Sequence, residues 1–180
     1  MANRQALREL QSRLATRLQA ARSEGASVAW LAAEAGGTPY LFPLSQAGEI
    51  FPWTPVQPVP YTAAWFLGVA NLRGGLAGVV DLVQFAAVAQ SLPPVAPRAD
   101  ALLAESSLLA FNAALGVQCA LVVDRLAGLR GGEAFVSVRT RADDAPPWLG
   151  HAYVDADDRA WQEIDLQALA QHPSFLSITG

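Results

Sequence analysis

The sequence contains no lysine, a single cysteine and only two histidines among its 180 residues. The lone thiol, Cys119, excludes an intramolecular disulfide, a zinc ribbon and a paired redox site, because each of these needs at least two cysteines. Charged residues make up only 16% of the chain and hydrophobic residues 52%, which is typical of a folded protein that buries a core. The length fits one domain or two small subdomains.

Charge is divided unevenly along the chain. Residues 1–24 hold five arginines and two acids, whereas residues 25–180 hold seven arginines and fourteen acids. An acidic body with scattered arginines offers no basic stripe that could follow a phosphate backbone, so we predict no nucleic-acid binding. The first residues are too polar for the apolar core of a signal peptide, which predicts a cytoplasmic protein.

One uncharged run, residues 106–123, is as long as a membrane span. Polar residues interrupt it, and acidic residues flank it on both sides. Two strands that meet near Gly116 are the better interpretation, so we predict no membrane insertion.

Residues 3–23 have the pattern of an amphipathic basic helix within an N-terminal segment of residues 1–24. Leucines recur every three or four positions and form one stripe, and arginines line the other side. The helix docks on protein, or it lies on an anionic membrane and makes the chain a peripheral scaffold. The stripe lacks the Trp and Phe side chains that favour a lipid interface, so docking on protein is the preferred hypothesis.

The rest of the chain is predicted to be mainly β. Short apolar segments are separated by Gly, Pro and Asp, and Gly36-Gly37 marks a hairpin turn. The Pro-rich segment 49–60 can form only an edge strand or a connection, because proline donates no backbone hydrogen bond. A second Pro-rich segment, 91–100, has the composition of a crossover. The predicted strands cover residues 27–34, 39–43, 66–72, 76–82, 108–113, 117–123, 134–139, 152–155 and 161–164.

The chain also resembles itself. Residues 65–70, WFLGVA, are similar to residues 148–152, WLGHA, and each copy leads to an Asp-Leu pair that begins at Asp81 or Asp165. The repeat predicts two similar small β units. Short strands with frequent turns favour small barrels over a parallel sheet with helical crossovers.

No pattern typical of catalysis is present. His151 and His172 occur in no metal-binding helix pattern, and the chain lacks the glycine-rich loops of nucleotide sites and the serine elbow of hydrolases. We therefore predict no enzymatic activity, no cofactor and no metal. A hydrolase that pairs either histidine with Asp155 or Asp165 is the disfavoured alternative.

Two aspartates and the cysteine have structural interpretations. Asp81 and Asp124 each follow an apolar strand, where a carboxylate commonly accepts the N–H groups of a turn or a helix start. Cys119 lies within a predicted strand and is expected to be a small buried hydrophobe.

The segment 48–82, GEIFPWTPVQPVPYTAAWFLGVANLRGGLAGVVDL, resembles the CheW family of chemotaxis coupling proteins. The resemblance rests on an acidic-apolar pair, a Pro-containing stretch and the block GVANLRG that leads to VVDL. It extends with less specific matches to about residues 27–170. Within the family, the sequence of this segment is most similar to those of coupling proteins from type IV pilus (twitching motility) chemosensory systems.

The resemblance implies two five-stranded β-barrel subdomains with short helices over residues 27–172, a crossover near residues 91–105, and a C-terminal tail of residues 173–180. It also implies a non-enzymatic adaptor. Such an adaptor joins the regulatory domain of a CheA-like histidine kinase to the cytoplasmic tip of a methyl-accepting chemoreceptor, at receptor arrays on the inner membrane.

The resemblance also selects a candidate partner-binding site around Arg73. A guanidinium can pair with a carboxylate, and Glu49 is the candidate partner within the chain. Two interpretations stay open: the pair contacts a partner protein, or it only fixes the Pro-rich strand to the barrel. Asn71 and Gly74 are expected to shape the turn. The predicted site comprises Glu49, Ile50, Asn71, Leu72, Arg73 and Gly74.

Overall fold

The structure is a computed structural model that describes Glu9, residues 11–13, Thr16 and residues 28–180. The described N-terminal residues are helical, and the rest of the helix predicted for residues 3–23 lies outside the described residues. The side-chain amide of Gln11 donates a hydrogen bond of 2.7 Å to Oγ of Ser107. This part of the predicted helix therefore contacts the body of the protein.

Strands dominate the described part of the chain, as predicted. The strands are β1 (Val28–Ala35), β2 (Thr38–Pro43), β3 (Ala47–Pro52), β4 (Phe66–Leu72), β5 (Gly75–Val80), β6 (Ser107–Phe111), β7 (Cys119–Val123), β8 (Arg125–Gly131), β9 (Phe135–Arg139), β10 (Leu149–Asp155) and β11 (Ala160–Ile164). The short α-helices are α1 (Leu82–Ala89), α2 (Asp100–Leu103), α3 (Leu166–Gln171) and α4 (Pro173–Leu176). None of the described helices is long and apolar enough to cross a membrane.

The strands form a six-stranded sheet in the order β8-β1-β2-β11-β10-β9 and a five-stranded sheet in the order β3-β6-β7-β5-β4. Neighbours are antiparallel except for β2 with β11 and β5 with β7. The mainly β fold with two β units is confirmed. Over the described strands neither sheet closes by backbone hydrogen bonds, so each keeps two edge strands.

The Pro-rich connection has a different position from the one expected. A crossover near residues 91–105 would join two subdomains, but the strands before and after it, β5 and β6, belong to the same five-stranded sheet. The reason is that β6 inserts between β3 and β7, so the chain must return to the sheet that it left. The chain changes sheets at residues 44–46 and again at Asp124.

The C-terminal residues also differ from the expected tail. Phe175 on α4 is buried, and its ring lies nearly parallel to those of Trp65 and Phe111, with each ring centroid 5.9 Å away. The backbone N–H of Ala63 donates to the carbonyl of Ile178 at 2.8 Å. Residues 173–180 therefore complete the main core, because the aromatic ring of Phe175 fills space between the elements around it.

The internal repeat is a structural repeat. Its first copy consists of β4, β5 and α1, and its second of β10, β11 and α3. In each copy the carbonyl of a buried Trp accepts the backbone N–H of the aspartate that caps the helix: Trp65 with Asp81 at 2.8 Å, and Trp148 with Asp165 at 2.9 Å. One copy lies in each sheet.

Candidate partner-binding site

A two-residue turn, Arg73-Gly74, joins β4 to β5. Both residues have left-handed backbone conformations, with φ of 50° for Arg73 and 83° for Gly74. Paired positive φ values are typical of the tightest β-hairpin turns, but they are uncommon for a residue with a Cβ such as arginine. The side-chain oxygen of Asn71 accepts the N–H of Gly74 at 2.8 Å and fixes the turn. The Arg73 side chain is left 75% exposed.

Arg73 forms an ion pair with Glu49. Nη2 of the guanidinium lies 2.6 Å from Oε1 of the carboxylate, and the Glu49 side chain is 37% exposed. The guanidinium also lies 6.0 Å from the ring centre of Phe51. Glu49 and Phe51 are on β3 and Arg73 follows β4, so these contacts join the two opposite edges of the five-stranded sheet. The sheet curls far enough for side chains to meet where backbone pairing stops.

A groove of about 420 Å³ lies beside this ion pair. Its walls combine apolar side chains of the sheet with the charged pair, and they include Phe51, Leu72, Leu76, Ala110, Phe111 and Val117. Leu76, two residues after the turn, is 65% exposed. An apolar groove with a few charged groups at its margin is the kind of surface that protein and peptide partners occupy.

The structure brings together most of the predicted site. Glu49, Asn71, Arg73 and Gly74 lie at one surface, and Leu72 is half-buried beneath it. Ile50 is only 8% exposed and packs in the main core, so its side chain is not part of this surface.

Two exposed or partly exposed apolar residues, Phe51 and Leu76, were not predicted. Each is adjacent to a predicted segment, but a single apolar residue in a strand gives no sign of which face it occupies until the sheet is known.

A largely buried arginine, with a side chain 11% exposed, links the two strand-end aspartates. Arg98, from the Pro-rich connection, lies with Nε 2.7 Å from Oδ2 of Asp81 and forms a second ion pair with Asp124. Asp81 also accepts the N–H groups of Val83 and Gln84 at the start of α1, and Asp124 accepts the N–H of Gly36. The predicted structural roles of both aspartates are confirmed, while Arg98 was not predicted.

The histidines and carboxylates of the disfavoured hydrolase hypothesis do not come together. Nδ1 of His151 accepts the backbone N–H of Arg141, and Asp155 accepts the indole N–H of Trp161 at 2.8 Å. That indole bond lowers the pKa of Asp155. Asp165 bonds to Gln46 and to the start of α3. Over residues 28–180 no hydrogen bond joins a histidine to a carboxylate.

Among the described residues, the cysteine forms no reactive site, and the side chains that could bind a metal form no metal site. Burial raises the pKa of Cys119 to about 12, so the thiol is protonated and unreactive near neutral pH. The expectation of a small buried hydrophobe is met. No three His, Cys, Asp or Glu side chains converge as metal ligands among the residues that the structure describes.

Comparisons with known proteins agree with this fold. Residues 29–174 match the family described as CheW-like domain. Over 171 residues the chain is 27% identical to Protein PilI of Pseudomonas aeruginosa, an alignment that covers 92% of this chain and 88% of PilI. The fold is similar to the crystal structure of the scaffolding protein TtCheW from Thermoanaerobacter tengcongensis, with a TM-score of 0.57 and 14% identity, covering 77% of this chain and 88% of that one.

Proposed function

The chain belongs to the CheW-like family of non-enzymatic coupling scaffolds, and we propose that it joins a methyl-accepting chemoreceptor to a CheA-like histidine kinase. The receptor would contribute its cytoplasmic tip and the kinase its regulatory domain. The resemblance of residues 48–82 to the family's most specific segment supports this pair of partners.

The proposed pathway is control of twitching motility by a type IV pilus chemosensory system. The sequence of residues 48–82 and the 27% identity to PilI support this pathway over others that use proteins of the same family. The proposed location is the cytoplasm, at receptor arrays on the inner membrane.

The observation that carries the proposal is the position of Arg73. An ion pair as exposed as Arg73–Glu49 contributes only about 0–1 kcal/mol to stability. A left-handed conformation at a residue with a Cβ costs about 1–2 kcal/mol, and glycine would avoid that cost. Stability therefore does not account for an arginine in this turn. Recognition of a carboxylate on a partner, beside the apolar groove, does account for it.

The partner contacts are expected to be weak one by one. The exposed site consists of one turn, one ion pair and a groove, so we expect it to bury less surface than a stable protein complex does. Clustering of receptors and kinases would then supply avidity.

The test is the binding of purified Arg73→Glu protein to the kinase regulatory domain and to a receptor cytoplasmic fragment from the same genome. We expect at least one of the two dissociation constants to rise about tenfold or more while the melting temperature stays unchanged. Arg125→Glu is the matched control, since Arg125 is also an exposed arginine paired with a glutamate, Glu34. Wild-type protein that binds neither partner would refute the adaptor function.

A charge swap separates the two interpretations of the ion pair. The double variant Glu49→Arg/Arg73→Glu restores an opposite-charge pair between β3 and the turn. If Arg73 contacts a partner carboxylate, the swapped protein stays as weak a binder as Arg73→Glu. Recovery of wild-type affinity in the swap would show that the pair acts only by fixing the strand.

A further inference from the structure

The outer strand β9 has an apolar free edge. It pairs with β10 alone among the described strands and ends the six-stranded sheet. Phe135 turns inward against Trp30, with ring centroids 5.8 Å apart, but Val136 is 69% exposed and Val138 is 54% exposed. A register shift in the pairing with β10 occurs at Val136, the more exposed of the two.

Edge strands that stay unpaired usually carry lysine, proline or a β-bulge, each of which discourages the addition of another strand. The register shift of β9 lies in its pairing with β10, and residues 137–139 pair regularly. The sequence of β9, FVSVR, has neither lysine nor proline, and its single charge is at its last residue. The unpaired backbone groups and the two valines are therefore open to a further strand.

We propose that β9 pairs antiparallel with β9 of a second copy of this chain, centred on Ser137. In this register Val136 of each copy lies opposite Val138 of the other, which gives two apolar cross-strand pairs. The pairing is two-fold symmetric, so one interface satisfies both copies and the assembly closes as a dimer.

The charges at the two ends of the strand favour the same arrangement. Glu133 precedes β9, and Arg139 and Arg141 lie at and just beyond its end. Antiparallel pairing places the acidic beginning of one strand beside the basic end of the other. The neighbouring registers, centred on Val136 or on Val138, keep only one Val–Val pair each.

The dimer is a weak one. Two five-residue strands bury far less than the roughly 1,200 Å² of a standard interface, so association depends on protein concentration. The surface lies on the six-stranded sheet, whereas the Arg73 turn belongs to the five-stranded sheet. Self-association is therefore independent of the proposed kinase and receptor contacts, and it would link neighbouring scaffolds where many are held together.

Cysteine cross-linking of the full chain tests the register. Residues opposite each other in an antiparallel pair have Cα atoms about 4.5–5.5 Å apart, within the range of a disulfide. Ser137→Cys is expected to form a disulfide dimer under mild oxidation about tenfold faster than Ser174→Cys, an exposed serine on α4. Mixed Val136→Cys and Val138→Cys chains should cross-link to each other faster than either does alone. Cys119 is buried and does not interfere.

Sedimentation velocity over a range of concentrations tests the association itself. We expect wild-type protein to dimerise as its concentration rises and Val138→Lys to stay monomeric. Val88→Lys is the matched control, because Val88 on α1 is 64% exposed and far from β9 in the sequence, and it should behave as wild type. A wild-type protein that stays monomeric, with Ser137→Cys no faster than Ser174→Cys, would overturn the proposal, as would dimerisation that Val138→Lys leaves unchanged.

Discussion

Trp65 and Trp148 begin two copies of one local unit, a hairpin followed by a short helix, and the copies lie in different sheets. Both indoles are buried, and both Trp carbonyls accept the N–H of a capping aspartate. The copies share what the core needs: a large ring, a strand pair and a helix start with its N–H groups satisfied.

The two copies differ in what holds the capping aspartate. Asp81 is 1% exposed and pairs with the guanidinium of Arg98, whereas Asp165 is half-buried and accepts a neutral amide hydrogen bond of 3.1 Å from Gln46. The aspartate of the first copy therefore fixes the Pro-rich connection through Arg98. The aspartate of the second copy fixes the short link between β2 and β3 through Gln46.

Their hairpin turns differ more. The first turn presents Arg73 and is closed by the neutral side chain of Asn71. The second turn is closed by Asp155, which accepts the N–H groups of Asp157 and Arg159. A repeated unit can thus conserve its buried contacts while its turns carry different charges, and only the first turn places an exposed arginine beside an apolar groove.

The largest expected effect is the loss of either repeat tryptophan. Trp65→Ala and Trp148→Ala should each lower the free energy of unfolding by about 3–5 kcal/mol, measured by urea denaturation, because each leaves a large cavity in a packed core. Trp53→Ala is the control, since Trp53 is half-buried outside the repeat and should cost clearly less. A small loss at only one of the repeat positions would show that the copies are not equivalent in the core.

A smaller effect should separate the capping aspartates. Asp81→Asn removes a charge from a buried pair and should cost about 2 kcal/mol, whereas Asp165→Asn keeps a good helix cap and should cost a few tenths. Urea denaturation measures both. In an Arg98→Met background the cost of Asp81→Asn should shrink. Equal costs in the two backgrounds would mean that Arg98 does not stabilise the Asp81 carboxylate.

The smallest expected effect is the change with pH in the stability that the Asp155 carboxylate contributes. Hydrogen bonds from the indole of Trp161 and the N–H of Arg159 hold the pKa of Asp155 below its usual 3.8. Because the pKa is lowered in the folded state, the stabilisation is present above the unfolded value and is lost as pH falls through the folded one. Asp155→Asn should therefore be less stable than wild type at pH 7, and the difference should narrow below about pH 4.

The first copy supplies the control for the acid effect. Asn71 does not titrate, so the stability cost of Asn71→Ala should be the same at pH 7 and in acid. A stability difference between wild type and Asp155→Asn that stays constant down to pH 2–3 would contradict the role given to the Asp155 carboxylate.

Much of the fold was predictable from local patterns. Alternating apolar residues and turn residues located most strands to within a few positions, and the repeat identified the two Asp-Leu pairs at which α1 and α3 begin. The strand β8 was missed, because its sequence RLAGLRG has two glycines and little alternation of apolar and polar residues. One of the glycines, Gly128, has φ of 96° and lies beside a register shift in the pairing with β1. This segment forms a strand because it pairs with β1, which lies nearly a hundred residues earlier in the chain.

The candidate site was predictable only in part. The turn residues and Glu49 were found through the family resemblance, while Arg98 was missed because an isolated arginine in a Pro-rich stretch has the pattern of an exposed loop. Its burial follows from the return of the chain to the five-stranded sheet, which local patterns do not report.

The strands of the five-stranded sheet all lie, in sequence, between the first two and the last four strands of the six-stranded sheet. This order has a consequence for synthesis of the chain. The five-stranded sheet comes from one continuous stretch, β3 to β7, but β1 and β2 must wait for β8 and β11, which are both made after that stretch. The N-terminal hairpin therefore leaves the ribosome with both of its edges unpaired. The middle of the chain, β3 to β7, can therefore fold before this hairpin finds its partner strands.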